Sequence, residues 1–390
     1  MPPTEIFISA GEASSDLHGS NLVKAIHRTA PGIRFRGLGG AKLEGAGVEL
    51  IDNIVDRHAH IGLNAVKSLR KYFRLLADIE RFLAETRPAA VVLIDSPEFH
   101  LRVAPMARRL GIPVIYYIAP QIWAWRFGRI HQIRRDVSKV LCILPFEERI
   151  FRDHGVDVAY VGHPILDIMK LTMTREEVFS HFGFDPSRRL IGILPGSRRQ
   201  EIERLLPAML SAAEIIASQM PGVQFVLPRA ITVPNSLLDP HLAETRLPVR
   251  VVDEYRYNVR AAMDFCLCKS GTSTLETAFL GCPMVVVYRV DTLSWLIGKM
   301  LVKVPYVGLV NVVGGEQIVP ECIQHDATPR QIAERALAVL GNAEVYENTK
   351  FQLSKIRERC GGPGASRRAA EEVLRVVRGA ESAVLSQSAA

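Results

Sequence analysis

The sequence predicts an α/β protein built as two doubly wound, Rossmann-like domains facing a cleft. Three observations carry this. The chain has 390 residues, too many for one ordinary core. Short apolar runs alternate with longer helical patterns, the signature of parallel sheets covered on both faces. Two such series of similar length follow one another. Hydrophobic residues make up 48% and charged residues 23%, which describes a folded chain rather than a disordered one.

In the first series the apolar runs at 6–9, 33–36, 90–94, 114–118, 140–143 and 158–160 predict strands. A long helix is predicted before the third of these. Its apolar residues Leu69, Phe73, Leu76, Ile79 and Leu83 recur at three and four. In the second series the runs at 190–194, 224–227, 249–252, 265–268 and 284–287 predict strands. The boundary falls near "VGHPILD", where Pro164 disfavours a helix at His163. The expected domains are 1–166 and 167–363, with a last helix, 364–380, packing back on the first. The tail "ESAVLSQSAA" is expected to be loosely ordered.

The formal net charge is +7 and the pI about 9.1, which suits phosphate-bearing ligands, nucleic acid or an anionic membrane. Six cysteines occur without a Cys-x-x-Cys pair, so core thiols in a reducing compartment are expected rather than disulfides or zinc. The N-terminus enters "EIFISA" almost at once, so no signal peptide is expected. No uncharged apolar stretch reaches about 18 residues, so no membrane-spanning helix is expected.

In open parallel sheets ligands bind beyond the carboxyl ends of the strands, so each strand exit is a candidate. The first is "SAGEASSDLHG", where Glu12, Ser14 and Asp16 offer a polar floor to the cleft or a helix N-cap. The following "GLGGAKLEGAG" breaks the dinucleotide fingerprint, because Lys42 stands where a third Gly is needed. The third strand exits into "IDSPEFH", placing Asp95 at the ligand edge as a general base or as a cap for the next helix. The fourth exits into "APQIWAWRFGRIHQIRR", whose Trp123 and Arg126 suit a phosphate-bearing partner or a solvated basic face.

Two exits of the second series agree with each other. "ILPGSRRQEI" carries Gly196, Ser197 and Arg198 at a helix start, and "CKSGTSTLE" carries Ser270, Gly271 and Thr272 at another. Paired helix N-termini with Gly and hydroxyl residues suit a diphosphate. Glu276, one turn further on, can accept from ribose hydroxyls or stand as an exposed acid. Walker spacing is absent, so ATP hydrolysis is not expected. No Asp-x-Asp pair occurs, so Arg198 and the helix ends are expected to hold the diphosphate of a nucleotide sugar, with no metal and no cofactor.

"GEASSDLHG", "GLGG", "IDSPEF", "WAWR", "LPFEE", "VGHP", "LPGSR", "SGTSTLE" and "VKVPYVGLVN" stand in the order of the lipid-A-disaccharide synthase family, which the chain resembles from about Ile6 to Arg368. The resemblance implies an inverting, metal-independent GT-B glycosyltransferase. Such an enzyme joins UDP-2,3-diacylglucosamine to 2,3-diacylglucosamine 1-phosphate (lipid X), the 6-hydroxyl of the acceptor displacing UDP. It implies that the first domain takes the acceptor and the second UDP, that Asp95 is the family's aspartate, and that Asn311 is its essential asparagine. This chain departs from the family at Ser15, Ala65, Glu98 and His100, all on the acceptor side. Among rival readings, a UDP-sugar 2-epimerase of the same fold shares the UDP site. A non-catalytic membrane- or RNA-binding protein leaves Asp95 and the paired exits unexplained.

The resemblance also implies a peripheral protein on the cytoplasmic face of the inner membrane, with no nucleic-acid partner. A homodimer is compatible with it. The helix predicted after Asp291 carries Leu296 and Met300 on an apolar surface, with Lys299 and Lys303 on another face. It suits an anionic lipid surface, or else an ordinary core helix.

Overall fold

A computed structural model describes residues 4–55, 65–292, 295–296, 298 and 304–388. The chain forms two compact units, Met1–Asp167 with Gly362–Ala390, and Ile168–Gly361.

The first unit is a seven-stranded parallel sheet of β1 (Glu5–Ala10), β2 (Arg34–Gly39), β3 (Val48–Asn53), β4 (Ala90–Ile94), β5 (Val114–Tyr117), β6 (Lys139–Cys142) and β7 (Val158–Tyr160). The order is β3-β2-β1-β4-β5-β6-β7. The chain therefore reverses direction across the sheet between β1 and β4, where Ala10 lies opposite Ile94. β4 and β5 are buried along their whole length because helices cover both faces. On one face Leu76, Ile79 and Leu83 of helix Ala65–Thr86 pack under Phe7, Val91 and Leu93. Phe73 of that helix, expected in its apolar stripe, is 53% exposed. On the other face the chain's last helix, Ala365–Ser388, lays Ala369, Ala370, Val373 and Val377 against Ile6, Ile8 and Val92. Asp167 caps it, accepting from the amides of Gly364 and Ser366 at 2.5 and 2.8 Å. The helix runs on to Ser388, so most of the tail expected to be loose is helical.

The second unit is a six-stranded parallel sheet of β8 (Leu190–Leu194), β9 (Gln224–Pro228), β10 (Val249–Val252), β11 (Phe265–Lys269), β12 (Met284–Tyr288) and β13 (Glu321–Ile323), in the order β10-β9-β8-β11-β12-β13. Its reversal lies between β8 and β11, with Leu194 opposite Cys268. All six cysteines are free and buried. Among the described residues no helix is long and apolar enough to cross a membrane.

Candidate active site

A doubly wound sheet opens a crevice where its strand order reverses. Both reversals coincide with motifs singled out from the sequence.

In the first unit, Gly11 after β1 and Asp95 after β4 are neighbours across the reversal. Gly11 has no side chain because Ser96 needs the room: a Cβ there would lie 2.7 Å from Ser96 Oγ. Asp95 and Ser96 are both left-handed, at φ 54° and 47°. Two side chains donate into the carbonyl of Asp95 and fix this turn: Tyr116 Oη at 2.7 Å and His100 Nδ1 at 2.7 Å. His100 is fully buried, and burial lowers its pKa to about 4. The ring is therefore neutral near pH 7 with its proton on Nδ1, so Nε2 accepts from Ser9 Oγ at 2.8 Å. Asp95 itself is half-buried at the sheet's carboxyl edge.

Glu12 opens helix Ala13–Thr29, and Ser15 closes back on it with bonds of 2.9 and 2.8 Å. Ser14 is exposed beside it. Asp16 does not offer a carboxylate to a cleft. It is 3% exposed, and its oxygens take the amides of Gly40, Lys42 and Leu43 at 2.8, 3.0 and 3.2 Å. It ties the "GLGG" turn to the first helix, because a buried carboxylate is stable only when it is hydrogen-bonded or paired, here by three amides.

Trp123 is also committed. Its indole N–H donates to Glu147 at 3.0 Å, and Leu144 N donates to the same carboxylate at 3.1 Å. Burial pushes the Glu147 carboxyl up to about 7. Arg126 stays at the surface, bonded to Glu98 at 2.7 Å, with Arg129 on the same oxygen at 2.7 Å. The hydrogen bond from Arg129, with Arg126 beside it, holds Glu98 below the usual carboxylate range. Both guanidinium groups lie over the half-exposed ring of Trp125, at 4.4 and 5.8 Å.

In the second unit, helix Arg199–Gln219 begins after Gly196, whose φ is 121°. The amides of Ser197 and Arg198 are not open to an anion. They donate to Glu201 Oε2 at 2.9 and 3.3 Å. A Cβ on Gly196 would overlap that carboxylate. The other Glu201 oxygen meets Lys269 Nζ at 2.8 Å. Burial opposes ionisation of Glu201, but Lys269 and the two amides outweigh it and hold the pKa below its usual value. The side chains of Ser197 and Arg198 are exposed beside this knot. Across from them helix Thr272–Phe279 begins at Gly271, φ 140°, with Thr272 exposed. Ser270 is buried and donates to Val307 O at 2.8 Å, which fixes the "VPYVGLVN" loop. Glu276 is paired with Arg260 and mostly covered, so the alternative of an exposed helix acid is wrong.

Asn311 lies in the protein interior. It is fully buried and all four of its amide positions are taken. Its Nδ2 donates to Val319 O and Glu321 Oε1 at 2.8 Å each. Its Oδ1 accepts from Ile318 N and Val319 N at 2.9 and 3.0 Å. Glu321 in turn accepts from Val307 N and Gly308 N at 3.0 and 2.9 Å. The direct catalytic role implied for Asn311 therefore gives way to a bracket that holds the loop contacting Ser270.

Of the expected membrane residues, Leu296 is 55% exposed, and Lys299, Met300 and Lys303 lie outside the described residues. Sequence reasoning missed Glu201, Lys269, Glu147, Glu321 and Tyr116. Glu201 and Glu147 carried a local signal, each standing three residues after its helix-capping position. Among the described residues no group of three His, Cys, Asp or Glu is assembled that could hold a metal ion.

Comparison with known proteins agrees with this geometry. The family model described as "Lipid-A-disaccharide synthetase" matches residues 6–375. A lipid-A-disaccharide synthase of Syntrophus aciditrophicus is 44% identical over 375 residues, covering 96% of this chain and 98% of that one. One from Nitrosococcus oceani is 42% identical over 376 residues, covering 96% of each. Among solved structures, UDP-GlcNAc 2-epimerase from Neisseria meningitidis bound to UDP-GlcNAc aligns at TM-score 0.63 and 12% identity, covering 96% of this chain and 100% of that one. MurG from Acinetobacter baumannii aligns at 0.58 and 15%, also covering 96% and 100%. These last two likenesses carry the fold alone, two Rossmann-like sheets of the GT-B type. The near-full-length match to the synthases carries the rest: the chain belongs to the lipid-A-disaccharide synthetase family.

Proposed function

We propose that the chain joins UDP-2,3-diacylglucosamine to lipid X, giving the β-1,6-linked lipid A disaccharide 1-phosphate and UDP. The family match over residues 6–375 is the observation that carries this reading. Asp95 takes the proton of the acceptor 6-hydroxyl as that oxygen attacks the anomeric carbon, so the configuration inverts. The neutral His100 and Tyr116 hold its turn in place. Glu12, Ser14 and Arg126 lie on the acceptor side, with Asp16 and Trp123 supporting the loops around them. Charge develops on the departing diphosphate. It is met by the Arg198 guanidinium, the hydroxyls of Ser197 and Thr272, and the N-terminus of helix Thr272–Phe279 at Gly271. Glu276 accepts from the ribose while it stays paired with Arg260.

The protein works as a peripheral protein on the cytoplasmic face of the inner membrane, from which both lipid-bearing sugars come. Exposed Leu296 supports contact there. The test is incubation of the donor sugar with and without lipid X. Disaccharide phosphate and UDP should form only when both are present. A 2-epimerised sugar formed from the donor alone would instead establish the epimerase reading.

A further inference from the structure

We propose that Lys269 sets the charge of the nucleotide-phosphate site by neutralising Glu201, and that this pair holds the loops after β8 and β11 in register. The inference rests on the reading of the second unit as the one that takes UDP. The two loops begin side by side, because Leu194 and Cys268 are partners in the sheet. Glu201 belongs to one loop's helix and Lys269 ends the other loop's strand. Their side chains meet at 2.8 Å, with only 18% and 21% of their surfaces exposed. Lys269 Nζ also lies over Gly271, where a Cβ would come within 3.2 Å of it. One ammonium therefore touches both loops.

The chemistry makes this pair matter beyond packing. Glu201 takes the amides of Ser197 and Arg198, which would otherwise attract an anion. It also sets a carboxylate at the edge where a diphosphate must bind. Left alone, that carboxylate would repel the ligand and draw the Arg198 guanidinium to itself. Paired with Lys269 its charge is cancelled. Both charges are largely shielded from solvent, so salt screens them far less than a surface pair. A staple acting only on loop shape would affect every ligand of the site alike. A charge acts in proportion to the ligand's charge.

The experiment is calorimetric titration of UDP, UMP and uridine into the full-length protein and three variants: Lys269→Met, Lys269→Arg, and Lys269→Met combined with Glu201→Gln. Lys269→Met should weaken UDP on the order of tenfold, UMP less, and uridine not at all. Lys269→Arg should stay near wild type. The double variant removes both charges and should recover UDP binding to within about threefold of wild type. Equal losses for all three ligands, or a double variant no better than Lys269→Met, would overturn the charge role. If wild-type protein binds uridine as well as UDP, the phosphate-site reading fails instead. The pair is then tested by melting. The Glu201 pKa is held down in the fold, so its stabilisation is present at neutral pH and lost as acid protonates it. The deficit of Lys269→Met should therefore be full at neutral pH and shrink as pH falls below about 4.5, and a deficit constant down through that range would reject the pairing.

Discussion

Asn311→Ala separates a chemical role from a structural one. Wild-type Asn311 makes four hydrogen bonds in a fully buried site, one of them to the Glu321 carboxylate. Three neutral bonds at about 0.5–1.5 kcal/mol and one charge-assisted bond at about 1.5–3 give a loss of about 3–7 kcal/mol. That is a large share of a usual total of about 5–15. A unit of this size loses about 2–4 °C per kcal/mol, so its melting transition should fall by roughly 6–28 °C. UDP affinity should fall with it, since the bracket supports Val307, to which Ser270 is bonded. Scanning calorimetry with and without UDP measures both. Asn311→Asp should be nearly as damaging near neutral pH, because a carboxylate would then face Glu321. A soluble Asn311→Ala protein that melts within about 2 °C of wild type, binds UDP normally and yet loses turnover would refute the bracket. It would return Asn311 to the chemistry.

Asp95→Asn should lower turnover by roughly 10²–10⁴ with the fold intact; near-normal turnover would move the base to another residue. Arg198→Ala should weaken UDP binding by about 1.5–3 kcal/mol, Arg198→Lys should recover part of it, and turnover should persist in EDTA. Buried His100 has its folded pKa depressed from 6.5 to about 4, so the unfolded chain takes the proton first and stability falls as pH drops from about 6.5 through about 4. Glu147, raised to about 7, works in the opposite sense over part of that range, so the contribution of His100 is read as the difference between wild type and His100→Asn in acid melts. Leu296→Ser should reduce partition to anionic liposomes without changing the melting temperature; a lower melting temperature would mark it as core.

The strands legible in the sequence are those buried on both faces. β4, β8, β11 and β12 read as unbroken apolar runs because helices cover them above and below. β3, "VELIDN", was not legible. It is an edge strand with exposed positions, so its residues alternate in character. β13 has three residues and starts with a glutamate, which gives no hydrophobic signal. At the sites, sequence position located the loops but not the partners of their polar side chains. Asp16 reaches amides 24–27 residues away and Asp167 reaches one 199 residues away, so their roles follow from the fold and not from local spacing. Asn311 belongs with them: a polar residue in a motif looks the same in the sequence whether it faces ligand or protein.

Asp95 is different, and its backbone supplies the argument. The sequence left it as a helix cap or a base. The capping position of helix Pro97–Arg109 is Ser96, and its side chain makes no capping bond. Its hydroxyl is instead buried without a partner. Two successive left-handed residues other than glycine each cost on the order of 1–3 kcal/mol, and they persist only where the surroundings over-determine them. Here the surroundings do so through Tyr116 and His100, both donating to one carbonyl, and through the space left by Gly11. A cap would need no such turn, because an extended residue caps a helix without strain. The strain instead puts the Asp95 carboxylate at the carboxyl edge of β4, beside the exit of β1. That is where a doubly wound sheet receives its ligand, and this placement, more than any motif, supports Asp95 as the base.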